Sequence, residues 1–381
     1  MDFDWSAEQR EWHDRAVEFA RAELIDDLPG RDERREFWRE GWDRCGRFGV
    51  QGLPVPEDYG GQGKGLSTTI AAMEGLGYGC PDNGLIFAIN ACLWTVTIPI
   101  LRHGTDEQKR RFLPGLCAGA TVGANGASEV EAGSDIFAMR TRAERRGDRW
   151  VLNGRKTWIT AGPVADLFVC YATTDPSQGA LGISAFIIPR GTPGLRLVRE
   201  IPKLGVRTAP MGEIALEDCA VPAENLLGRE RRGGEVFRCS MEWERGAILA
   251  GTLGTMRRQL ERCLSHARSR RQFGQPIGKF QAVAHRIVDM ALRLETCRPL
   301  VYKIGWLKDR GKDAELEAAM AKLHVSECFV ENSLDAVRLF GASGFATEFG
   351  VERDLRDSVG SLIFSGTNDI QRNIIARRLR L

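Results

Sequence analysis

From Ser6 to about Phe48 the apolar residues recur at helical spacing, with Trp12, Ala16, Phe19 and Ala20 forming one stripe and Phe37, Trp42 and Phe48 a second. Steps of three and four predict a helical pair, and "LPGRDER" between the stripes reads as the break. The loop "LPVPEDYGGQGKG" follows, then helical stretches at about residues 66–79 and 84–103. In "GTDEQKRRFLPGL", Thr105 is placed as an N-cap, acids occupy the first turn, and Pro-Gly reads as the stop.

Between about Val122 and Leu227 the period changes. "RWVLNGRKTWIT", "DLFVCYAT", "ISAFIIP", "LRLVREI" and "EIALEDCAVP" are short β-rich runs bounded by Gly, Pro, Asp and Asn, and "LNG" reads as a hairpin turn. After "GGEVF" helical periodicity returns through "MEWERGAILAGTLGTMRRQLERCLSHARSRR", "KFQAVAHRIVDMALRLETCRPLVYKIGWLKDRG" and "DAELEAAMAKLHVSECFVENSLDAVRLFG", with a last helix from about Asn368. The expected architecture is α+β: a helical domain over 1–120, a small barrel-like β domain over 121–232 and a four-helix bundle over 233–381.

Composition narrows the function. The 381 residues are 43% hydrophobic and 27% charged, enough for a large core. Fifty-three basic and 51 acidic side chains leave a net charge of +2, which argues against nucleic acid or an anionic membrane as the main partner. Arg229, Arg231 and Arg232 read first as a solvated loop. The ten cysteines contain no C-x-x-C pair and fall in apolar runs, so they are expected as reduced, buried thiols, with no metal site. "MDFDWSAEQREW" lacks an apolar signal core, and no uncharged apolar run of about 18 residues is expected, which points to an untethered cytoplasmic protein.

The motifs "SEVEAGSD", "NGRKTWIT", "RRQFGQPIGKFQA", "RLFGASGF" and "SGTNDIQ" follow one another in the order and spacing of the acyl-CoA dehydrogenase family, which this chain resembles over essentially its whole length. The resemblance implies bound FAD and α,β-dehydrogenation of an acyl thioester. Ser128 and Thr160 look like hydroxyl donors to the flavin ring, Trp158 like the residue against it, and Ser134 like the hydroxyl near the pyrophosphate. Arg270 and Phe273 occupy positions that reach the cofactor of a neighbouring subunit in the family. Arg338, Gly341, Ala342, Thr367 and Asp369 resemble the remaining contacts from the partner chain, although Arg338 and Asp369 stand where amides are common. A shared site implies a homo-oligomer, dimer or tetramer, and the family favours four subunits.

One departure matters for the chemistry. "IFSGTNDIQ" carries Ser365 where the family normally places its catalytic glutamate, and serine without a neighbouring base cannot remove an α-proton. A replacement is expected at Glu244 in "SMEWERGAILAGTLG", matching the helix position from which a minority of the family presents its base. Glu242 and Glu244 lie about 200° apart on a helix, so one faces the flavin and the other solvent. Ala247, Ile248 and Gly251 make the Glu244 side the apolar one.

"SMEWER" combined with "IFSGT" is most similar to the flavin dehydrogenases of natural-product pathways that oxidise a prolyl group tethered to a carrier protein. That likeness implies a thioester on phosphopantetheine, Arg245 and Arg377 near the substrate, and a docking surface for an acidic helix, for which Arg229, Arg231, Arg232 and Arg238 are the candidates. Three other readings remain: a dehydrogenase of short branched acyl-CoA, a flavin-binding partner protein without activity, and a flavin monooxygenase.

Overall fold

The computed structural model describes residues 4–381; Met1–Phe3, the start of the acidic N-terminal stretch, lie outside the described residues. The first layer is helical: α1 (Ala7–Glu23), α2 (Leu28–Arg34), α3 (Arg39–Phe48), α4 (Leu66–Gly79), α5 (Asn83–Cys92), α6 (Ile98–His103) and α7 (Asp106–Cys117). Ser6 and Gln9 close a capping box on α1, and Thr105 and Gln108 close one on α7, so the expected cap at Thr105 is present.

Two expected breaks are not breaks. "LPGRDER" is itself α2: the Asp27 carboxylate accepts the Gly30 N–H at 3.0 Å, and Pro29 sits in the first turn, where its missing N–H costs nothing. Helix α7 runs through Pro114 and Gly115 to Cys117, because the Pro114 carbonyl still accepts the Ala118 N–H at 3.0 Å while Leu113, Leu116 and Cys117 are buried. The expectation of no long uncharged apolar run also fails. A π-helical turn, Leu93–Thr97, joins α5 to α6 into one apolar helix over Asn83–His103, with a mean hydropathy of 1.9. It is 83% buried inside the protein, as the core helix of a folded domain is.

The middle layer is an eight-stranded sheet of β1 (Gly123–Gly126), β2 (Arg142–Arg146), β3 (Arg149–Thr160), β4 (Leu167–Thr173), β5 (Ile183–Pro189), β6 (Leu195–Glu200), β7 (Met211–Pro222) and β8 (Leu226–Leu227). Its order is β6-β7-β3-β2-β4-β5-β8, with β1 parallel to β4. The hairpin turn lies at Gly147-Asp148, where Gly147 takes φ +64°, and not at "LNG". Asn153 stays inside β3, paired both ways with Asp218 across a register shift.

The last layer holds α8 (Gly233–Ala247), α9 (Ala250–Ser269), a small hairpin of β9 (Arg271–Gln272) and β10 (Gln275–Pro276), α10 (Gln281–Lys308), α11 (Glu315–Phe340), α12 (Ala342–Phe345), α13 (Val351–Gly360) and α14 (Asn368–Arg378). The expected continuous helix after "GGEVF" is divided at Ile248–Leu249, which separates α8 from α9. The ten cysteines are free thiols and nine are buried. Three groups that no cysteine spacing signals do converge: Cys297 on α10 and His324 and Cys328 on α11 place their ligand atoms within 4.8 Å of one another, away from the cavity described below.

Helix α9 is set against α4 by backbone contact. A Cβ on Gly254 would lie 2.0 Å from the Glu74 carbonyl oxygen, and one on Gly77 would lie 1.8 Å from that of Gly251. Between them Glu74, fully buried, accepts from Arg298 and Tyr302 of α10, tying the first layer to the last. Gly254→Ala must push the two helices apart, and is predicted to cost about 1–3 kcal/mol, the usual range for overpacking; thermal unfolding of the two proteins measures it.

Candidate active site

A cavity of about 1230 Å³ lies where the three layers meet, walled by α5, the β1 and β3 ends of the sheet, α8, and the segment from α13 to α14. Glu244 projects into it from the last turn of α8 and is 7% exposed. Burial raises its pKa to about 7, with smaller opposing contributions from the Ser365 hydroxyl, Arg245 and Lys322. No ion pair is formed by Glu244 among the described residues, so its carboxyl is held in an apolar site without a counter-ion in contact. The apolar neighbours expected of it, Ala247, Ile248 and Gly251, are buried.

Glu242 behaves differently from the expectation that it faces solvent. Its side chain is half-buried at the cavity and forms an ion pair with Lys308, whose ammonium also lies 5.6 Å from the Trp243 ring centre. The two glutamates of this helix thus differ in their surroundings: Glu242 has a lysine in contact, and Glu244 has none among the described residues.

The segment opposite Glu244 is built around two consecutive left-handed residues, Ser365 at φ +58° and Gly366 at φ +87°. For a non-glycine residue such a φ costs about 1–2 kcal/mol, so other contacts must hold it. Arg245 Nε donates to the Ser365 carbonyl at 3.1 Å, and Gln371 Nε2 donates to the Ser365 and Gly366 carbonyls at 3.3 and 3.0 Å. Thr367 then caps α14 by accepting the Ile370 N–H. Behind this turn Lys322, fully buried, donates to Asn368 Oδ1 at 2.8 Å, and burial lowers its pKa to about 7.

Of the residues expected at a cofactor site, Ser128, Ser134, Trp158, Thr160 and Thr367 line the cavity, as do Glu244, Arg245 and Arg377. Trp158 keeps half its surface exposed and takes φ +58°. Arg377 pairs with Glu315 at 3.1 Å at the rim. Arg270, Phe273, Arg338, Gly341, Ala342 and Asp369 do not reach the cavity of their own chain. Phe273 is 93% exposed at the tip of the β9–β10 hairpin, Arg338 pairs with Asp335, and Asp369 points outward.

Several lining groups were given no role by the sequence reading, although Thr157, Met241 and Phe364 sit inside its motifs. Asn125 on β1 and Thr157 on β3 each leave a buried side-chain oxygen without a partner. Phe87 and Phe364, with ring centres 4.6 Å apart, form an apolar wall together with Met241 and Ile374. Asn125 and Phe87 lie inside ordinary apolar runs, and only the folded contacts distinguish them.

Sequence profiles of the acyl-CoA dehydrogenase N-terminal, middle and C-terminal domains match residues 6–120, 124–219 and 231–380. An L-prolyl-[peptidyl-carrier protein] dehydrogenase of Pseudomonas fluorescens is 45% identical over 382 residues, covering 100% of both chains. The crystal structure of the prolyl acyl carrier protein oxidase AnaB superposes with a TM-score of 0.98 at 47% identity, over 99% of this chain and 100% of that one. A structure of PigA with FAD and proline gives a TM-score of 0.97 at 41% identity, over 100% of both chains. With all three domains matched in order and full-length relatives of this identity, the chain belongs to the acyl-CoA dehydrogenase family.

Proposed function

We propose that this protein is a flavin-dependent dehydrogenase of a prolyl or closely similar acyl group, held as a thioester on the phosphopantetheine arm of a carrier protein, with Glu244 as the base. The observation that carries the reading is a carboxyl buried at the junction cavity with its pKa raised to about 7. Full-length likeness to prolyl-carrier-protein enzymes supports the substrate class.

The lining fits FAD. Hydroxyls of Ser128 and Thr160 and the unpartnered Asn125 and Thr157 oxygens supply polar contacts for a ring edge, Trp158 an aromatic face, and Ser134 a donor for the phosphates. When bound, FAD supplies the acceptor for the two electrons of the oxidation. Glu244 takes the proton from the carbon beside the thioester carbonyl, the β-hydrogen departs with its electron pair, and the α,β double bond forms. A carboxyl in this environment combines a useful ionised fraction near neutrality with basicity above that of an exposed glutamate.

Arg270, Phe273, Arg338, Gly341, Ala342 and Asp369 belong in this reading to the cofactor site of a neighbouring subunit, so that the active form is a homo-oligomer, a dimer or a tetramer. Exposure of Phe273 at a hairpin tip supports it. Ten free thiols accord with a reducing cytoplasm. For the carrier protein, Arg229 and Arg238 beside the start of α8 are the docking cations. Arg231 and Arg232, the other two candidates, are exposed and carry surface ion pairs, Arg231 with Asp175 and Glu230 and Arg232 with Glu235.

Glu244→Gln is expected to remain folded and yellow while losing at least ~1000-fold in the rate of flavin bleaching by substrate, in the upper part of the range for a general base; unchanged turnover rejects the base and favours a flavin protein without this chemistry. Because the carboxylate is the active form, bleaching in the wild type should rise with pH, be half-maximal near the pKa of about 7, and fall about tenfold per unit below it. Charge reversal of Arg229, which lies outside the cavity lining, should raise KM for the carrier-bound substrate several-fold and leave a short pantetheine thioester unaffected. Equal or better bleaching by the same acyl group on CoA excludes the carrier protein as the preferred donor.

A further inference from the structure

The Ser365 hydroxyl is buried at the cavity without a hydrogen-bond partner, on a residue held in the left-handed region that glycine occupies without strain. Its backbone is fixed from three sides: Arg245 and Gln371 hold its carbonyl, and the capped start of α14 follows directly. The position of the hydroxyl oxygen is therefore set by one torsion, χ1, from a fixed origin. Glu244 lines the same cavity, and the Ser365 hydroxyl opposes the rise that burial causes in its pKa.

Other charged or titratable groups around Glu244 are engaged elsewhere or set back. Arg245, on the same helix, turns its Nε to the Ser365 carbonyl. Lys322, from α11, gives its ammonium to Asn368. Tyr171, from β4, is fully buried outside the cavity lining and meets Phe237 edge-on, with ring centres 5.6 Å apart.

We propose that Ser365, at the position where most of the family carries its base, is a positioning residue for the relocated one: its hydroxyl, without a partner among the described residues, is the donor that the Glu244 carboxylate takes up when it ionises, and it fixes which oxygen faces the α-carbon of the substrate. The strained backbone is retained because it aims that hydroxyl. This rests on Glu244 being the base. A donor to the charged form lowers the pKa of a carboxyl, so its loss shifts activity to higher pH.

The test compares Ser365→Gly, Ser365→Ala, Tyr171→Phe and Glu244→Gln in the FAD-loaded protein. Ser365→Gly removes the hydroxyl and the strain together. It should bind flavin normally, unfold at the same or a higher temperature than wild type, lose about tenfold in kcat at neutral pH with little change in KM, and move the midpoint of the pH–rate profile upward by about one unit. Ser365→Ala should show the same kinetic shift with lower heat stability than the glycine variant, and Tyr171→Phe should leave the midpoint in place. An unmoved midpoint and kcat in Ser365→Gly overturn the proposal, as does a shift produced by Tyr171→Phe instead. Inactive Glu244→Gln alongside an unmoved Ser365→Gly rejects the serine's role alone, whereas active Glu244→Gln rejects the base itself.

Discussion

The site depends on keeping one carboxyl away from both water and a counter-ion. Glu244 is buried, has no ion pair among the described residues, and lines a cavity with an apolar wall of Phe87 and Phe364. Desolvation of an unpaired carboxylate raises its pKa by several units at most, and here it brings the group to about 7. Had a lysine reached it as Lys308 reaches Glu242, the same side chain would be an ordinary structural ion pair. The surrounding fold works to prevent that.

Each layer contributes. Bare backbone contact between α4 and α9 at Gly77 and Gly254 sets the depth at which the α8–α9 segment lies in the molecule. Division of that segment at Ile248–Leu249 lets α8 end beside the cavity and present Glu244 from its last turn. Arg245, the next residue, ties the Ser365 turn to α8, so Glu244 and that turn are held by adjacent residues. Lys322, fully buried and without an ion pair among the described residues, holds α14 through Asn368. Burying two opposite charges near one another without pairing them keeps both near neutrality in pKa, a state that costs stability and is retained where chemistry uses it.

Much of this was legible in the chain. The order of helical, β and helical periods, the Thr105 cap and the start of the last helix at Asn368 follow from local physics, because caps and amphipathic stripes act over one or two turns. That Glu244 is the more buried of the two glutamates on its helix was legible from the apolar spacing after it. Proline and glycine misled where tertiary contacts overrode them, at "LPGRDER", at Pro114 and at "LNG", since a proline in a first turn and a bulge within a long strand read like breaks in one dimension. The partner of Glu242, the unpartnered oxygens of Asn125 and Thr157, and the buried Lys322 depend on contacts between segments far apart in sequence, and no window of residues contains them.

The most direct measurement is the protonation of Glu244 itself, by infrared difference spectroscopy of the FAD-loaded protein against Glu244→Gln across the range from about pH 5 to about pH 9, which brackets the shifted value and lies above that of an exposed glutamate. A carboxylic acid carbonyl band that belongs to Glu244 and disappears with a midpoint near 7 is the predicted result. A residue already ionised at the acid end of that range, as an exposed or ion-paired glutamate is, contradicts the account.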